Sequence, residues 1–150
     1  MAEETFKVAT RREKDQQEVV RKMPANTRLI QQDGRDIWIF KKNTELKILF
    51  EIAVYYDPDE RGYCAQLISP QVENSWKNAH VGHLFSDGII CMGFSEPSMR
   101  SRHTLLEAYA KACFWAEGMS VMIRSHELGT PMPFPFSDNN SPSEAYDARR

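Results

Sequence analysis

The chain has 150 residues, 41% of them hydrophobic and 27% charged, the balance of one globular domain with enough apolar side chain for a core. A formal charge of -2 excludes a global basic field, so binding to nucleic acid or to an anionic membrane would need a local patch, and neither partner is expected. Cys64, Cys91 and Cys113 are odd in number and widely spaced, which argues against a disulfide framework and against CxxC redox or zinc-ribbon chemistry.

Residues 1–21 carry charge throughout and do not resemble a signal peptide. No segment approaches the roughly 18 to 20 apolar residues that span a bilayer, so a cytoplasmic protein with reduced thiols is expected. A single domain over residues 1–136 and a polar, disordered tail over 137–150 are the expected organisation.

Thr10 to Met23 is rich in helix formers, with Thr10 as cap and Pro24 as stop, and Val19, Val20 and Met23 form its thin apolar stripe. Its basic residues Arg11, Arg12, Arg21 and Lys22 read first as a solvated face and second as a docking surface. Arg28–Gln32 and Ile37–Phe40, joined by Asp33-Gly34, read as a hairpin. Leu46 to Tyr56 reads as a long strand, with Lys47, Glu51 and Leu49 on its less buried face. The turn Asp57–Gly62 returns the chain into a strand over Tyr63–Ile68, completing an antiparallel four-strand meander. Residues 70–78 are polar and irregular, anchored by Trp76.

Residues 93–98 read as a loop, and Ser101 or Thr104 caps the longest helical pattern, Thr104 to Arg124. Leu105, Tyr109, Ala112, Ala116, Met119 and Ile123 share one face of it, and Leu106, Phe114, Trp115 and Met122 widen the apolar area, so the helix is expected to be largely buried or to share a face with a partner. Gly129 marks its end. The alternating prolines of Pro131, Pro133 and Pro135 then force an extended segment.

The chemistry concentrates in His80 to Met92, which holds two histidines, a Ser86-Asp87-Gly88 turn and Cys91 after Ile89-Ile90. A thiolate is the strongest side-chain nucleophile at neutral pH when it is accessible and stabilised. Cys64 and Cys113 read as small buried hydrophobes, and Cys91 is set apart by its place behind a turn and two histidines. His83 and His80 are each a general base, an oxyanion donor or a structural residue. No fourth ligand lies at zinc-site spacing, no phosphate-binding loop occurs, and nothing matches GxSxG.

The order helix, four-strand meander, His-x(7)-Cys and long helix resembles the ubiquitin-conjugating-enzyme fold, an α+β architecture with an N-terminal helix, an active-site Cys loop and a long C-terminal helix. That family carries a His-Pro-Asn motif whose Asn lies eight residues before the catalytic cysteine. Here Val81-Gly82-His83 stands in that place and Asp87-Gly88-Ile89-Ile90-Cys91 matches the approach to the cysteine. The replacement of Asn by His is similar to bacterial members found beside antiphage CBASS operons. The resemblance implies that Cys91 forms a thioester with the C-terminus of a partner and that His83 assists. It implies a CD-NTase (cGAS/DncV-like nucleotidyltransferase) or a ubiquitin-like protein as that partner, a separate activating enzyme or an abbreviated route, and no metal or organic cofactor. Two other readings are a catalytically silent binding module of the same fold and a small cysteine hydrolase using Cys91 with His83 or His80.

Overall fold

The computed structural model describes residues 2–58, 62–91 and 104–135, with residues 2–10 described as backbone. The architecture is α+β: an N-terminal helix, a four-stranded antiparallel sheet and a C-terminal helix. Helix α1 spans Ala2–Lys22, so it begins well before the expected start at Thr10. The residues ahead of Thr10 are good helix formers, and Thr10 sits inside the helix instead of capping it. Val19 and Met23, four residues apart, are buried, whereas Val20 is 84% exposed; the stripe is therefore one residue narrower than expected.

Strands β1 (Arg28–Gln32), β2 (Arg35–Asn43), β3 (Leu49–Asp57) and β4 (Gly62–Ser69) form a meander in the order β1-β2-β3-β4. The β1–β2 turn is Asp33-Gly34 with both residues at positive φ, 55° and 76°, the twist that a two-residue hairpin needs. β3 starts three residues later than expected. The Lys47 N–H donates to the Thr44 carbonyl at 2.9 Å and Lys47 has φ 62°, so Leu46–Ile48 belong to the connecting turn. Leu49, at the strand edge, is exposed as expected.

Alternation then sorts the sheet. Trp38 pairs with Val54, Phe40 with Ile52, and Val54 with Ala65, so these side chains share one face and form the core with Phe50 and Tyr63. Helix α2 (Leu105–Glu127) covers that face. Thr104, one of the two residues expected to cap it, does so: the Glu107 N–H donates to Thr104 Oγ1 at 3.2 Å. Ala112, Trp115, Ala116 and Met119 are fully buried, Tyr109 and Ile123 lie half-buried at the margins, and Phe50 meets Trp115 edge to face at 5.7 Å. The wide apolar area of this helix thus goes into the molecule's own core. Lys42 on β2 and Glu117 on α2 close the rim at 3.6 Å.

No helix among the described residues is long and apolar enough to cross a membrane. The expected loop at 93–98, the alternative cap Ser101 and the expected tail at 137–150 lie outside the described residues.

Candidate functional site

Beyond β4 the chain passes through a short 3-10 turn, Asn74–Trp76, whose Trp76 is buried as the expected anchor. It then folds residues 84–90 into a small hairpin laid against β4. The Ile90 N–H donates to the Ala65 carbonyl at 2.9 Å and the Leu67 N–H donates to the Gly88 carbonyl at 2.8 Å. Asp87 and Gly88 make the turn for the reasons their chemistry predicts. Asp87 Oδ1 accepts from the Ile89 N–H at 3.0 Å, and Gly88 takes φ 90°. Leu84 and Ile90, paired across the hairpin, are buried and bolt it to the core.

This hairpin brings His83 and Cys91 together through the backbone: the Cys91 N–H donates to the His83 carbonyl at 2.9 Å. Cys91 is half-buried. His83 is buried at 5% exposure and adopts φ 52°, a left-handed conformation uncommon outside glycine. His80 lies apart on the preceding exposed turn, where its N–H donates to Asn78 Oδ1 at 2.8 Å.

Three features around His83 escape a reading of local sequence. Trp115 on α2 donates its indole N–H to the Gly82 carbonyl at 2.9 Å in a buried bond, tying the site to the helix. Gly82 lies so close to the preceding turn that a Cβ there would stand 2.4 Å from the Trp76 carbonyl oxygen. Phe134, from the proline-rich segment after α2, packs its ring against the imidazole of His83 at 4.6 Å. The one sequence signal for Phe134 is an aromatic residue set between prolines in an otherwise exposed stretch.

Of the other two cysteines, Cys64 is buried in β4 as expected, while Cys113, expected to be buried, is half-buried as Cys91 is. Desolvation still pushes the Cys113 thiol up to about 11. Elsewhere, Arg11, Arg12 and Arg35 line a cleft of about 150 Å³ with Tyr55 and Tyr56, and Arg11 lies 4.0 Å over the Tyr56 ring. Arg11 and Arg12 of α1 therefore have partners within the fold, Arg12 reaching Asp36 at 3.7 Å, while Arg21 and Lys22 are exposed, and the cleft includes neither Cys91 nor His83.

No protein-family model, curated protein or solved structure matches the chain.

Proposed function

We propose that this chain is a ubiquitin-conjugating-enzyme-like acyltransferase that carries a partner's C-terminal acyl group as a thioester on Cys91. The observation that supports the reading best is the pairing of Cys91 with His83. A half-buried thiol follows a tight turn on the edge of an antiparallel meander, and its N–H is bonded to the carbonyl of the residue at the family's Asn position. The resemblance supplies the remainder: the fold family, the CD-NTase of a CBASS system or a ubiquitin-like protein as cargo, and a separate activating enzyme.

The chemistry balances without a cofactor. The Cys91 thiolate attacks the carbonyl carbon of an incoming thioester, a C–S bond forms, and the donor's thiolate leaves. An amine then attacks the Cys91 thioester; the tetrahedral intermediate collapses with formation of the C–N bond, Cys91 departs as thiolate, and the amine's proton passes to solvent or a base. One well-placed donor on the oxyanion is worth on the order of 3 kcal/mol. His83 is assigned that role, with general base for the incoming amine as the alternative.

The test is intact mass spectrometry and non-reducing electrophoresis after incubation with a short peptide supplied as its mercaptoethanesulfonate thioester. In a second arm, a CBASS CD-NTase and an activating enzyme are supplied with ATP. The expected result is a thiol-sensitive adduct absent in Cys91→Ala and persistent as an ester in Cys91→Ser. A chain that binds the CD-NTase but gives no adduct in either arm is a binding module, and one that releases free peptide acid with no acceptor amine is a hydrolase.

A further inference from the structure

Phe134 reaches the site from the far end of the described chain, and several interactions bring it there. Gly129, at φ 76°, ends α2 and reverses the backbone. The Thr130 N–H then donates to the Ser125 carbonyl at 3.0 Å, and the Met132 N–H donates to Ser125 Oγ at 3.0 Å. Ser125 itself is buried and its hydroxyl donates to the Met122 carbonyl at 2.8 Å, so the anchor is part of the helix. Pro131, Pro133 and Pro135 restrict φ at alternate positions, which lowers the entropy lost in holding the segment extended. The outcome is a strap lying back along α2 that delivers one side chain inward. Pro131, Met132, Pro133 and Pro135 are exposed, while Phe134 is buried to 6% and its ring meets His83 at 4.6 Å with the planes tilted by 48°.

We propose that Phe134 is a positioning residue, holding the His83 imidazole in the orientation that serves acyl transfer at Cys91. The inference rests on the acyltransferase reading and adds a residue that lies outside the histidine-cysteine stretch. The terminal torsion of a histidine is broad, so the backbone position of His83 alone does not set the direction of its ring nitrogens. A second ring packed against the imidazole narrows that torsion. The main chain of the site is held by the Trp115–Gly82 and Cys91–His83 bonds, and the Phe134 ring adds a constraint on the imidazole itself. Misplacement of a reacting or stabilising group by about 1 Å costs on the order of 100-fold in rate.

The experiment charges Cys91 with the peptide thioester and follows single-turnover discharge to lysine in wild type, Phe134→Ala, Phe134→Leu and Phe134→Tyr, each also in the His83→Ala background. Phe134→Ala is expected to slow discharge at saturating lysine by about 10- to 100-fold with half-saturation changed less than about twofold. Phe134→Tyr, which keeps the ring, is expected to restore most of the rate. In the His83→Ala background the Phe134 substitutions add nothing, because a residue that acts through His83 has no effect once the imidazole is gone. NMR of the uncharged protein gives an independent reading: the His83 ring protons of wild type carry a ring-current shift that Phe134→Leu abolishes. If Phe134→Ala unfolds at the assay temperature, Phe134→Leu carries the same comparison. Discharge at the wild-type rate, or an equal loss with and without His83, overturns the proposal while leaving the acyltransferase reading in place. A wild-type protein that forms no adduct overturns both.

Discussion

Gly82 occupies a position where a methyl group does not fit. The backbone carbonyl of Trp76 would stand 2.4 Å from its Cβ, and a carbonyl held in a 3-10 turn cannot swing aside as a side chain can. Gly82→Ala is expected to cost roughly 2 kcal/mol or more in urea denaturation and to disturb His83, the next residue. The thiols give a second residue-scale expectation. Burial raises Cys113 from an ordinary 9.0 to about 11, so between those values the unfolded chain gives up its proton while the folded chain keeps it. Folded stability therefore falls as pH climbs from 9.0 toward about 11, and Cys113→Ala should flatten that descent in denaturation series at pH 8, 9 and 10. The same burial leaves Cys113 a thiol at neutral pH. The burial of Cys64 was legible from its place in an alternating strand, whereas Cys113, expected to be buried on the long helix, is half-buried. The dependence of His83 on Gly82 and Phe134 had no such local mark.

At the scale of elements, α1 is joined to the sheet by a polar bond as well as by Val19 and Met23. The Tyr63 hydroxyl donates to the Asp15 carboxylate, with oxygens at 2.7 and 2.9 Å. Burial raises the Asp15 pKa, the Tyr63 hydrogen bond pulls it back, and Glu18 raises it further. Tyr63→Phe leaves that half-buried carboxylate without its donor and is expected to destabilise by about 1 to 3 kcal/mol at pH 7. A raised carboxylate pKa means that protonation favours the folded state, so the penalty of Tyr63→Phe should shrink as pH falls through the Asp15 titration. Stability curves of wild type and variant at pH 4 and pH 7 check both the size and the sign. Elements themselves were largely legible. Strand alternation, the Asp33-Gly34 hairpin, the Thr104 cap and the Gly129 stop all depend on neighbours within a few residues. The sequence reading erred at the start of α1, where helix formers ahead of Thr10 extend the helix, at the start of β3, where Lys47 closes a turn on Thr44, and at Val20, which faces solvent.

At the scale of the molecule, one core joins α1, the sheet, the site hairpin and α2, with Trp115, Phe50, Ile52, Leu84 and Phe134 in the same cluster. A single core predicts a single transition. Unfolding followed by tryptophan fluorescence and by far-ultraviolet circular dichroism should superimpose, and Ile52→Ala, which empties a fully buried site, should shift both curves together by about 2 to 5 kcal/mol. Curves that separate would mean that the hairpin carrying Cys91 opens independently of the sheet. The amino-acid sequence by itself determined the elements, their order, the antiparallel meander and the short stretch in which a thiol follows two histidines, because periodicity, caps and turns are properties of adjacent residues. Only the tertiary structure decided which histidine meets Cys91, that the indole of Trp115 would hold the Gly82 carbonyl, and that Phe134 would close over His83. Those contacts join residues far apart in the chain, and their geometry exists only after the sheet and α2 have packed.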